Sequence, residues 1–157
     1  MKPSNSEYYL LQKKATDLTD LFATKEGRRP RILIGGEYSE VLNSSAALGN
    51  TFADLGCNVD VAPLHSDLAQ LAKQSIENDV DIVLIIDHLK AKKSEFEKFQ
   101  EIVFEHHPGM LLSLCQDHSI VSPTSETELK QWVLFDQGSN SISMALKLLS
   151  KLLQIPG

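Results

Sequence analysis

Apolar and polar positions fall into blocks along this chain, and the period of the pattern switches between two values. Four short apolar runs, Arg31-Ile-Leu-Ile-Gly35, Asn58-Val-Asp-Val-Ala62, Asp81-Ile-Val-Leu-Ile-Ile86 and Met110-Leu-Leu-Ser-Leu-Cys115, have the length and aliphatic content of strands. A shorter fifth, Val133-Leu-Phe135, follows. Gly35-Gly36, Pro63, Pro108-Gly109 and Gly138 bound these runs and are residues that turn the chain. The third and fourth runs are apolar almost throughout, which predicts strands buried on both faces.

Between the runs the period becomes helical. Ser44 to Leu55 puts Ala47, Leu48, Phe52 and Leu55 on one face, and Leu68, Leu71, Ala72 and Ile76 repeat the pattern behind Ser66 or Asp67 as N-cap. Phe96, Phe99, Val103 and Phe104 form a third stripe, opened by Ser94. Ser125-Glu-Thr-Glu128 has the spacing of a capping box. A last helix carries Ile142, Leu146, Leu149 and Leu153, and Pro156-Gly157 is expected to stop it. The order is β-α five times over. Right-handed crossovers then require a parallel sheet with helices on both faces. The expected fold is α/β, flavodoxin-like (Rossmann-like), five-stranded in the order 2-1-3-4-5.

Residues 7–24 stand outside this pattern. Leu11, Ala15, Leu18 and Phe22 make a narrow apolar stripe, predicting a helix that lies on the domain or on a partner. Lys25-Glu-Gly-Arg-Arg-Pro30 reads as a hinge, so residues 1–30 are taken as helix and linker and 31–157 as the α/β domain. The β-α period is the only internal repetition found.

Composition narrows the partners. The 157 residues are 42% hydrophobic and 23% charged, as a globular domain requires. A net charge of -6 repels phosphate backbones, which argues against nucleic acid. No apolar run approaches the ~20 residues that span a bilayer, and the start Met-Lys-Pro-Ser-Asn-Ser is too polar for a signal peptide, so no membrane contact is expected. Two cysteines, Cys57 and Cys115, lie in apolar stretches with no basic neighbour to activate them; buried thiols in the cytoplasm are expected.

Gly27-Arg-Arg-Pro-Arg-Ile-Leu33, Phe52-Ala-Asp-Leu-Gly-Cys-Asn-Val-Asp-Val-Ala-Pro-Leu64 and Ala72-Lys-Gln-Ser-Ile-Glu-Asn-Asp-Val80 together resemble the C-terminal cobalamin-binding domain of methylmalonyl-CoA mutase and related acyl-CoA mutases. The likeness spans about residues 20–155. It implies an isomerase assembly, and it also shows what this chain lacks. In that family a D-x-H-x-x-G motif follows the first strand, and its His is the lower ligand of the cobalt. Here the Asp, His and Gly positions fall on Ser39, Val41 and Ser44, and one residue is missing between Ile34 and Tyr38. Valine has no lone pair to give a metal, and no His occurs between Met1 and Leu64. The family's small segment after the third strand is replaced by Ile85-Ile-Asp87-His-Leu-Lys90, and its Gly-Gly after the fourth by Cys115-Gln-Asp117-His118. Only Gly138-Ser139-Asn140 keeps the family's pattern.

The resemblance therefore implies a domain most like the non-catalytic small subunit of heterodimeric mutases. It would have no catalytic residues and no cofactor, and would act in contact with a large catalytic subunit or with its own barrel domain. It would be either an excised domain or a free-standing relative. Two alternatives stay open. One is a working corrinoid-binding domain, base-on or with a non-standard ligand such as His65 or His88. The other is a divalent-metal or sensory domain built on Asp87, His88, Asp117 and His118, which the expected strand order brings to one sheet edge. The bland reading of those four is solvated loop-top residues, as it is for His106-His107 and for Lys90-Ala-Lys-Lys93.

Other chemistries fit poorly. Asp87 sits where a response-regulator receiver keeps its phosphoacceptor, yet Gly35-Gly36-Glu37 and Asp136-Gln137-Gly138 replace the acidic pair and the Lys that receivers need. Gly35-Gly36 belongs to neither G-x-G-x-x-G nor G-x-x-x-x-G-K-[ST] and reads as a tight turn. Trp132 is expected in the core or half-buried.

Overall fold

Strands fed by two-sided apolar runs need cover on both faces, and this chain provides it with helices from alternate crossovers. A computed structural model describes residues 4–36, 41–63, 66–87, 92–116, 131–136 and 140–154. Within these lie β1 (Arg31–Gly35), β2 (Asn58–Val61), β3 (Ile82–Asp87), β4 (Leu111–Gln116) and β5 (Trp132–Asp136). The helices are α1 (Asn5–Glu26), α2 (Val41–Asp54), α3 (Leu68–Glu77), α4 (Lys93–His106) and α5 (Ser141–Leu152). All strand pairs are parallel, in the order β2-β1-β3-β4-β5, so the flavodoxin-like expectation holds.

Period-two alternation divides the core. Ile32, Ile34, Ile82, Leu84 and Ile86 point to one face, where α2 brings Leu48, Phe52 and Leu55, and α5 brings Ile142, Ala145, Leu148 and Leu149. Leu33, Val83, Ile85, Leu112 and Leu114 point to the other, against Leu71 and Ala72 of α3 and Phe96, Phe99 and Val103 of α4. Trp132 opens β5 and is buried there, edge-on to Phe96 at 5.4 Å between centroids, its Nε1 donating to Gln100 Oε1. The polar alternation of β2 fits its place at the sheet edge.

The helix α1 lies on the domain, against α5, with Ala15, Thr19 and Phe22 buried. Gly27 ends it in the left-handed region (φ 74°), where a side chain would be strained, and its N–H donates to Ala23 O. Of the two N-caps expected for α3, Asp67 serves, with Gln70 completing a capping box, while Ser66 Oγ donates to Pro63 O. Two other local expectations need correction. Ser94 does not open α4: the helix begins at Lys93 behind Lys92, whose side chain makes no cap bond. Leu153 is the C-cap of α5 rather than part of it, and Gln154 follows with φ 58°, so the helix stops before Pro156. The Ser125–Glu128 capping box lies outside the described residues.

Candidate functional site

In an open parallel sheet the carboxyl ends of the strands form the ligand edge. The register sets Asp87, Gln116 and Asp136 side by side there as the last residues of β3, β4 and β5. The expected neighbourhood of Asp87 and the β4 loop is therefore present in the backbone. His65, His88, Asp117, His118, Gly138 and Ser139 lie outside the described residues, as does Ser39. Among the described residues no three His, Cys, Asp or Glu side chains come together to hold a metal.

On the β1 side of this edge, Val41 is the first residue of α2 and Ser44 falls in its first turn, so the backbone at both positions is helical. Ten residues further along, Thr51 Oγ1 donates to Ala47 O at 3.1 Å and lies 2.9 Å from Ser141 Oγ. With the Thr51 proton on Ala47, Ser141 is the donor in this bond, which ties α2 directly to α5. Asn140 is also occupied: its Oδ1 accepts from the N–H groups of Ile142 and Ser143 and caps α5. The carboxamide retained from the family pattern thus has a structural task.

Gly35 is not a turn glycine. A Cβ there would stand 2.6 Å from Leu71 Cδ2 and 2.9 Å from Ala62 Cβ, so its smallness is what lets α3 and the end of β2 close on β1. Cys57 is buried beside Thr19, and burial pushes its thiol up to about 11, away from reactivity. Cys115 is buried as well.

The densest polar cluster was not foreseen, and it lies at the opposite, amino edge. Arg28 Nη1 and Nη2 donate to Asp81 Oδ2 and Oδ1 at 2.7 and 2.8 Å, and the Arg31 N–H donates to Oδ2 at 2.8 Å. The Asp81 side chain is 7% exposed and that of Arg28 30%. Arg28 also lies over the Phe22 ring, and its hydrogen bonds to Asp81 hold its proton more firmly than usual. Arg29 pairs with Asp20 of α1, Arg31 with Asp79, and the Pro30 carbonyl accepts from the Asn58 N–H. Residues 27–31 are thus tied down on both sides, which the reading of a hinge did not anticipate. A signal existed: Arg-Arg before one strand and Asp before another become partners once β1 and β3 are neighbours.

Comparison with known proteins bears on both edges. Methylmalonyl-CoA mutase of Cereibacter sphaeroides is 31% identical over 133 residues, which cover 82% of this chain and 18% of the relative. The chain carries a domain related to methylmalonyl-CoA mutase. The mutase large subunit of Streptomyces virginiae is 43% identical over 67 residues, 42% of this chain and 9% of that protein. The Escherichia coli K12 mutase is 32% identical over 83 residues, 48% of this chain and 12% of that protein. This mutase-related domain therefore spans less than a fifth of the length of these relatives. No family model matches it.

Among solved structures, a response regulator receiver domain protein from Methanospirillum hungatei JF-1 aligns with a TM-score of 0.58 at 19% identity, covering 80% of this chain and 94% of that one. A pilus assembly-related protein from Burkholderia pseudomallei K96243 gives 0.59 at 18%, covering 82% and 92%. At such identities the likeness shows the fold alone, and fold does not carry function. In the mutase-related domain, the Gly27–Pro30 motif that helps to carry the resemblance does its work at the amino edge. That edge is structural in its chemistry: every one of its three arginines is spent on an aspartate of the same chain.

Proposed function

We propose that this chain is a cobalamin-domain-like module of the methylmalonyl-CoA mutase type that holds no cobalamin, has no activity of its own and acts through contacts with a large catalytic mutase subunit or a barrel domain. The observation that carries this reading is Val41. It stands where the family has its cobalt-ligating His, and it opens a helix that Thr51 and Ser141 bind directly to α5.

The residues present do not fit the corrinoid. A His ligand needs an imidazole lone pair and a carboxylate to orient it, and Val41 and Ser39 offer neither. Separating α2 from α5 to admit a nucleotide tail would break the Thr51–Ser141 bond, and drawing Asn140 into cofactor contact would uncap α5. An intact two-sided core beside these losses is what a module retained for its surface requires. A cytoplasmic setting suits two buried thiols, Cys57 and Cys115. The domain also lacks, among its described residues, any helix long and apolar enough to cross a membrane.

The test is titration of the purified chain with adenosylcobalamin and hydroxocobalamin at tens of micromolar, followed by gel filtration and visible spectroscopy. The expected result is that all colour elutes apart from the protein, and that the chain co-migrates with a mutase large subunit in the absence of corrinoid. Colour travelling with the chain, with an altered axial-ligand spectrum, would overturn the proposal.

A further inference from the structure

A second surface lies between two of the helices that cover one face of the sheet. Between α3 and α4 an open groove of about 260 Å³ is floored by Ala72 and Phe99 and walled by Leu68, Ala69 and Ile102. Leu68 and Ile102 remain half-buried and Ala69 is exposed, so apolar surface faces solvent along two adjacent helices. Alanines at 69 and 72 on one helix wall leave the room that larger side chains would fill. The ends of the groove are acidic. Asp67 and Glu95 line it, Glu105 continues the same face of α4 three residues beyond Ile102, and Lys98 is the one cation among the lining residues. No ion pair reaches Glu95 or Glu105 among the described residues, whereas Glu97, turned away, is paired with Lys93.

From this groove we infer a docking site for an amphipathic helix of a protein partner, one that presents an aliphatic ridge flanked by Lys or Arg. A ridge of side chains seated between two helices is the ordinary way helices pack. The charge selects among occupants. A second copy of this chain would set acidic rims against each other and add to a net charge of -6 on each copy. An anionic lipid surface or a nucleic acid meets the same repulsion. A basic flank instead answers the Glu95 and Glu105 carboxylates, which have no ion-pair partner among the described residues. The inference rests on the proposed role in protein contacts and names the surface and the partner chemistry for it.

The chain supplies its own reporter. Its single tryptophan, Trp132, lies 5.6 Å from Phe99, which floors the groove, so occupancy should alter its emission. The probe is a helical peptide free of Trp and Tyr, with Leu at i, i+4 and i+7 and Lys on both flanks, compared with a twin carrying Glu in place of Lys. The Lys peptide is expected to give a saturable shift that weakens several-fold between about 0.05 and about 0.5 M salt, with the Glu twin at least ~10-fold weaker. Ala69→Arg, at an exposed position, should abolish the shift. The pair Glu95→Lys and Glu105→Lys, also on the surface, should reverse the preference between the peptides. Circular dichroism of each variant checks that the fold is kept. No saturation by about 1 mM, equal binding of the two peptides, or binding untouched by Ala69→Arg would overturn the inference. So would concentration-dependent dimerisation blocked by Ala69→Arg, which would give the groove to a second copy. If peptide binding fails while the chain still co-migrates with a mutase large subunit, the groove is refuted and the proposed function stands.

Discussion

Replacing Asp81 by asparagine should be among the most damaging single-atom-scale changes in this domain. The carboxylate accepts two hydrogen bonds from Arg28 and one from the Arg31 N–H, and its side chain is only 7% exposed. An amide of the same shape brings donors of its own towards Arg28 and Arg31, so at least one donor loses its acceptor. Hydrogen bonds to charged groups contribute about 1.5–3 kcal/mol each, but they are not additive within one cluster. Breaking a fully buried ion pair costs about 3–5 kcal/mol. Arg28 is 30% exposed and recovers part of its hydration, which lowers the figure. The expected loss for Asp81→Asn is therefore ~2–3 kcal/mol, or about 1 M or more in the urea midpoint for a slope of about 2 kcal/mol/M. Arg28→Ala alone should cost less, because Asp81 keeps the Arg31 N–H. A double-mutant cycle with Arg28→Ala and Asp81→Asn should give a coupling of ~1 kcal/mol or more. A loss below about 0.5 kcal/mol for Asp81→Asn, with coupling equally small, would refute the reasoning and make the amino-edge cluster ornamental.

Three further outcomes follow from other parts of the structure. Gly35→Ala sets a methyl 2.9 Å from Ala62 Cβ, which cannot move without its backbone; a loss of ~1–3 kcal/mol in urea unfolding, partly restored by Ala62→Gly, is expected. For Cys57 the thiol is the form the fold prefers. Its raised value means that its contribution is complete below the ordinary thiol value and disappears as pH climbs towards about 11. Stability measured between pH 8 and 11 should therefore fall by about 2–3 kcal/mol more in the wild type than in Cys57→Ala, and an identical slope in the two proteins would contradict this. Asn140→Ala removes the cap of α5 and should lower stability by ~1 kcal/mol; an unchanged urea midpoint would show that the carboxamide is free for another task.

The chain's local periodicities were enough to predict its strands, its helix faces and the 2-1-3-4-5 order, because period and crossover handedness are properties of short segments. The proposed misfit at Val41 also rests on sequence, since a missing lone pair needs no coordinates. What lay beyond reach were pairings between distant residues. Arg28 and Asp81 are 53 residues apart, and Thr51 and Ser141 are 90 apart. Each pair meets only because the sheet order sets β1 beside β3 and lays α2 against α5. The same holds for Gly35, whose glycine reads locally as a turn and is required by Leu71 and Ala62 arriving from elsewhere in the chain. Capping went wrong at Ser94, and stayed open between Ser66 and Asp67, for a related reason: several polar residues could open each helix, and the choice falls to the packing that fixes where its first turn begins. Sequence alone decided the kinds of elements. Tertiary structure decided which polar groups find partners, because hydrogen bonds are satisfied in space and their partners need not be near in the chain.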